Sequence, residues 1–228
     1  MIDDRLLHIL IDSIPKILIP GLTMTIPLTV IAFAISLVIA IFTALVQFAR
    51  VPVLKHIARF YIWVARGTPL LVQLYLVFYG LPDLGIMLNP FAAAVVVFSL
   101  NEGAYAAETI RGALESVPKG QIEAGYCVGM SYPQIILRIV LPQALRTATP
   151  PLSNEIIAMV KDTSLAANIT VTEMFMSTQR IIARTYETLP LYIEVALFYL
   201  FFSTVLTKLQ KLLEKRLNRS TAHAGGAR

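Results

Sequence analysis

From Ile17 to Ala49 the chain carries no charged side chain. A run of that length leaves few options. About 20 apolar residues in a helix cross the hydrocarbon core of a bilayer, and the surplus here suits one tilted span with interfacial ends. Composition agrees: of 228 residues, 57% are hydrophobic and only 14% charged, too little charge to clothe a soluble surface. The fold class expected is an all-α integral membrane protein, one domain over residues 1–219.

The remaining apolar runs extend this to five transmembrane helices. Residues 1 to about 17 mix Leu6, Leu7, Ile9, Leu10 and Ile11 with charges, the pattern of an interfacial amphipathic helix. Asp3 and Asp4 stand where a cleaved leader would be basic, so none is expected. Pro20 and Pro27 mark the outer end of the first span, and Val51-Pro52 breaks the helix after it. A second span covers about 57–80, interrupted by Arg66-Gly67-Thr68-Pro69. A third begins near Pro90; Gly103 and Ala107 give its second half a small-residue face for close helix approach. Glu108 and Arg111, one turn apart, suit a structural ion pair. A fourth span covers about 147–169 and a fifth about 189–207, with the polar segment 170–188 on the outer face. A basic extension then leads to a tail, 220–228, expected to be disordered.

Several function classes drop out. The net charge of +5 does not form an aromatic-interleaved basic patch, so nucleic acid is not a partner. Single Cys127 and scattered His8, His56 and His223 offer no disulfide, metal site or catalytic constellation. The basic residues instead follow membrane topology. Arg50, Lys55, Arg111, Lys119, Arg138, Arg146, Lys208, Lys211, Lys215, Arg216 and Arg219 fall on one side of the spans. Arg5, Lys16, Arg180 and Arg184 fall on the other. The N-terminus is therefore expected outside and the C-terminus in the cytoplasm.

Between the third and fourth spans lies PKGQIEAGYCVGMSYPQIILRIVLP, residues 118–142. It reads as two short helices meeting at an elbow. Pro118 suits a first helical turn, and Gly129 can take the positive φ that ends a helix. Ser131 and Gln134 make a capping box for the next helix, with Pro133 in its first turn. Pro142 is expected to stop or kink that helix.

Glu123-Ala124-Gly125, then Gly129, then Ile139-Val140-Leu141-Pro142 resembles, at every spacing, the "EAA" loop of ABC-importer permease subunits. Gly125 departs from it, standing where the family usually has a second alanine. Arg66-Gly67-Thr68-Pro69-Leu70, the run from Ala104 to Gln121, and Lys161-Asp162-Thr163-Ser164-Leu165 are similar to permeases for polar amino acids, most like the cystine-type group. The resemblance implies that Glu123, Ala124, Gly125, Gly129, Leu141 and Pro142 belong to a cytoplasmic coupling helix seated on an ATPase. It also implies a dimer of ABC ATPase subunits, a second permease subunit (identical or different) and an extracytoplasmic solute-binding protein, in a bacterial inner membrane. The chain has no G-x-x-x-x-G-K-[ST] loop, so no cofactor is assigned to it and ATP and Mg belong to the partner ATPase.

Charged residues inside the spans demand a reason, because each costs on the order of 2.5–3.5 kcal/mol against lipid. The candidates for a substrate path are Arg66, Thr68, Gln73, Asn101, Glu102, Glu155, Lys161 and Asp162. A zwitterionic amino acid needs partners of both signs. The competing reading makes these charges structural ties, which suits Lys161, Asp162 and Arg66 better than Glu155. A secondary transporter and an intramembrane enzyme are the rival functions; the first lacks an internal repeat, the second a nucleophile–base or metal set.

Overall fold

The computed structural model describes residues 4–49 and 52–225, with side chains through Lys215. Asp3, Arg50, Val51 and the last three tail residues lie outside the described residues, as do the side chains of Arg216, Arg219 and His223. The described residues are helical, with no strand. In order they form α1 (Asp4–Phe48), α2 (Pro52–Gly67), α3 (Leu70–Leu84), α4 (Pro90–Glu115) and α5 (Lys119–Cys127). Then come α6 (residues 132–162), a 3-10 segment Thr163–Ile169, α7 (Met174–Thr185) and α8 (Thr188–Gly225). Helix α8 thus extends into the tail expected at 220–228.

Among the described residues three helices are long and apolar enough to cross a membrane: α1, α4 and Thr188–Lys215 of α8. The pair α2 and α3 qualifies together as a broken span. The break is sharper than the sequence suggested. Pro69 adopts an extended backbone (ψ 136°), so the chain leaves the helix at Thr68 and re-enters at Leu70.

The N-terminal residues are not a separate interfacial helix, and Pro15, Pro20 and Pro27 do not end the span. All three are absorbed into one continuous α1. For Pro27 the reason is a widened π turn at Gly21–Thr25, where Ile26 N–H donates to the Gly21 carbonyl five residues back. Widening moves the backbone away from the ring of Pro27, which would otherwise clash with the carbonyl four back. The same device recurs at Leu76–Gly80 before Pro82 and at Ile136–Val140 before Pro142. Each π turn ends two residues ahead of a proline. Pro142 therefore does not stop α6; the helix passes through it.

Contacts divide the chain into two compact units, each drawing on several helices. The first comprises residues up to Ile35, Thr68–Ser99 and Ile156–Leu206. One of its cores gathers Leu28, Ala32, Leu74, Ala93, Val97, Met159 and Ile169; another packs Ile17, Val160, Met174, Val195 and Phe202. The second unit comprises Ser36–Gly67, Leu100–Glu155 and the chain from Thr207. There Ala40, Ile62, Ala65, Ala104 and Ala107 pack closely, and Gly103 leaves room for Ile39, whose Cγ2 would lie 3.0 Å from an added Cβ. That is the small-residue face read from the sequence.

Candidate functional site

The elbow forms within the second unit as α5 and the start of α6. Gly129 takes φ +79°, and its own N–H and that of Met130 close the end of α5 on the Tyr126 and Gly125 carbonyls at 2.9 and 3.0 Å. That pair of bonds satisfies carbonyls a helix end otherwise leaves open. The capping box is present: Ser131 N–H donates to Gln134 Oε1 at 2.8 Å, and the Ser131 side chain accepts from the backbone of Gln134. Leu141 N–H reaches back to the Ile136 carbonyl across the widened turn.

Packing fixes the angle of the elbow. Ile135 and Val140 are fully buried against Ala113, Leu114, Val117, Ala144 and Ala148, with Ile122, Met130 and Ile139 around them. Gly125 faces this cluster and is buried, while Glu123 and Ala124 beside it are exposed. A Cβ at Gly125 would stand 2.9 Å from Ile135 Cγ1 and 3.3 Å from Ile139 Cδ1. In this chain the place of a second alanine methyl is taken by Ile135. Gln143 Nε2 donates to Gln121 Oε1 at 2.5 Å and to the Ile139 carbonyl at 2.8 Å, a stitch between the elbow's two arms. Nothing in the local sequence marked that pair, since the partners lie on different helices. The outer face is unusually apolar for exposed surface: Tyr126, Val128, Tyr132 and Leu137 are 52%, 77%, 48% and 62% exposed.

Two in-span carboxylic acids meet. Glu102 on α4 and Glu155 on α6 interact through their side chains, and Thr109 Oγ1 donates to Glu155 Oε1 at 2.7 Å. Thr109 was not singled out in the sequence, though it stands seven residues after Glu102, on the same helix face.

The other candidates separate. Asn101 Nδ2 donates to the Ala65 carbonyl at 3.0 Å, tying α4 to the end of α2. Arg66 lies over the Tyr105 ring, 5.0 Å from its centroid, with Nη1 3.8 Å from Glu108 Oε2. Glu108 is gripped in two-point fashion by Arg111, Nε at 3.0 Å and Nη2 at 2.8 Å, and Arg111 also holds Glu115 at 2.6 Å. The expected Glu108–Arg111 pair is thus the centre of a network that includes Arg66.

In the first unit Gln73 Nε2 donates to Thr68 Oγ1 and its carbonyl at 2.8 and 3.1 Å, bridging the Pro69 break locally. Lys161 and Asp162 are exposed at the end of α6. Lys161 lines a cleft of about 650 Å³ with Ser164, Phe175, Tyr192, Tyr199 and Ser203. Phe175 and Tyr192 stack there, centroids 5.8 Å apart. Beside it Glu173, fully buried, caps α7 by accepting from Phe175 and Met176 N–H at 2.8 and 2.7 Å. It also accepts from the Tyr199 hydroxyl at 2.6 Å. Burial raises the Glu173 pKa above its ordinary value, against the pull of those three donors. Nothing in the local sequence marks this cap, because glutamate is not a favoured residue there.

The model of a protein family described as binding-protein-dependent transport system inner membrane component matches residues 36–219. The chain belongs to that family. This permease is 46% identical to the L-cystine transport system permease protein TcyB of Bacillus subtilis, over 92% of this chain and 91% of that one. It is 40% identical to the glutamine transport system permease protein GlnP of Escherichia coli, over 88% and 93%. A crystal structure of an amino acid ABC transporter with histidines matches at TM-score 0.85 and 34% identity, covering 90% of this chain and 96% of the other. Inward-facing MetNI methionine transporter, 16% identical at TM-score 0.74, shares the fold. The permease is a multi-pass membrane transport subunit and not an enzyme, which leaves no place for the intramembrane-enzyme reading.

Proposed function

We propose that this permease is the translocating subunit of an ATP-driven importer for a polar amino acid, L-cystine before others. The observation that carries the substrate is the 46% identity to an L-cystine permease along nearly the whole chain. The permease acts as one domain over residues 1–219, crosses the membrane five times with α6 as the fourth span, and keeps its N-terminus outside and its C-terminus in the cytoplasm. It pairs with a second permease subunit, receives solute from an extracytoplasmic binding protein, and is driven by a dimer of ATPase subunits that holds ATP and Mg.

Coupling runs through the elbow. Glu123 and Ala124 are exposed beside Tyr126, Val128, Tyr132 and Leu137, an apolar patch with a polar member of the kind that suits a protein partner. Behind it Gly125 and Gly129 set the shape, and Leu141 and Pro142 join the elbow to α6. Of the path candidates, Glu102 and Glu155 are the pair that suits a substrate ammonium. Arg66, Asn101, Thr68 and Gln73 are engaged by their own neighbours and serve as ties.

The test is uptake by the reconstituted complex against a panel of amino acids. L-cystine should be transported and should stimulate ATP hydrolysis when presented by the binding protein. Stimulation by an apolar amino acid alone would overturn the substrate class.

A further inference from the structure

A polar cleft of about 400 Å³ lies in the second unit, lined by residues other than those of the elbow and the carboxylic pair. Lys55, Arg59 and Trp63 line one wall; spaced four apart on α2, they form a single stripe. Gln47 of α1 and Glu108, Arg111 and Glu115 of α4 complete it. The charges on α4 satisfy one another, since Arg111 is bound by Glu108 at 2.8 Å and Glu115 at 2.6 Å. Lys55 and Arg59 make no ion pair among the described residues. Trp63 is 71% exposed and contacts Phe60, ring centroids 5.9 Å apart, while Val53 and Ile57 add exposed apolar surface along the same helix. Two cations without an ion pair beside an exposed tryptophan, on a helix that also exposes Val53, Leu54, Ile57 and Phe60, match the chemistry of the headgroup layer.

We propose that this cleft binds the headgroup of an anionic phospholipid. The phosphate diester sits between Lys55 and Arg59, and the Trp63 ring lies against the upper acyl chains. The carboxylates of the α4 wall accept hydrogen bonds, so a headgroup bearing hydroxyls, as glycerol does, fits better than a choline. A basic residue near an anionic membrane surface contributes roughly fivefold in affinity, so the two together set a clear preference.

Trp63 is the chain's single tryptophan and reports on its own site. The full-length permease would be reconstituted in mixed phosphatidylcholine–phosphatidylglycerol vesicles, with bromine on the acyl chains of one lipid or the other. Brominated phosphatidylglycerol should quench Trp63 at a several-fold lower mole fraction than brominated phosphatidylcholine. In Lys55→Gln/Arg59→Gln the two curves should coincide, and in the charge-retaining Lys55→Arg/Arg59→Lys the preference should persist. Equal quenching in the parent, or a preference that survives the Gln pair, overturns the proposal. So does loss of preference in the charge-retaining pair, which would mark a merely structural role. Quenching by neither lipid would show the face covered by protein, such as a second copy. Abolition of the preference by millimolar inorganic phosphate would make the ligand a free anion.

Discussion

Two glycines four residues apart in the elbow are required for different reasons. Gly129 has nothing within 4 Å of where a Cβ would go, so space does not forbid a side chain there; its φ of +79° does. Gly125 has ordinary torsion but no room. Gly129→Val should therefore cost about 1–2 kcal/mol in local backbone strain and disturb the angle between α5 and α6. Transport should fall strongly and ATPase stimulation by loaded binding protein should be lost, with the binding protein's own affinity unchanged. Normal insertion with parental transport and full stimulation would refute the elbow as the coupling element. Gly125→Ala should lower thermal stability by displacing Ile135, and its cost should shrink on an Ile135→Ala background. Simple additivity in that double-mutant cycle would place the strain elsewhere.

Elements tell how far local pattern reaches. The turn at Gly129 and the capping box at Ser131 were legible because their signals sit within a few residues of one another. Prolines misled: read alone, Pro20 and Pro27 mark the outer end of a span and Pro142 stops or kinks a helix, yet a π turn ahead of Pro27 and Pro142 lets α1 and α6 run on. The cap of α7 was illegible for another reason, since a buried glutamate is stabilised by Tyr199, 26 residues away. That cap carries a pH signature. With the Glu173 pKa raised in the fold, the folded state holds a proton that the unfolded state has already lost just above the ordinary carboxyl range. Its contribution is complete below that range and is lost as pH rises through the folded value. Glu173→Gln should lower the thermal midpoint in detergent, a weaker cap typically costing about 1 kcal/mol. It should also flatten the decline in stability as pH rises above the ordinary carboxyl range. An unchanged slope would mean that another group titrates.

At the scale of the whole molecule, membrane class, apolar runs and the elbow were visible in the sequence, whereas the meeting of Glu102 and Glu155 was not. Those residues stand on different helices, and only tertiary packing brings them together. Because the two meet inside the spans and Glu155 accepts from Thr109, Glu102→Gln and Glu155→Gln should each abolish transport or alter its selectivity, while the complex assembles and hydrolyses ATP basally. Parental uptake of every amino acid in a panel by both variants would leave the pair a structural tie. Topology admits its own check: reporters fused at Asp83 and at the C-terminal tail should fall on opposite sides of the membrane, and finding both on one side would refute five spans. The surplus amide in α6, the widened turn at 136–140, reaches as far as that carboxylic pair. One residue turns a helix by about 100°, so removing the surplus, with no change near Glu155, would swing it around the helix axis and away from Glu102 and Thr109. The azimuth of a carboxyl deep in the bundle is thus set at the door of the elbow, by a single residue's worth of slack.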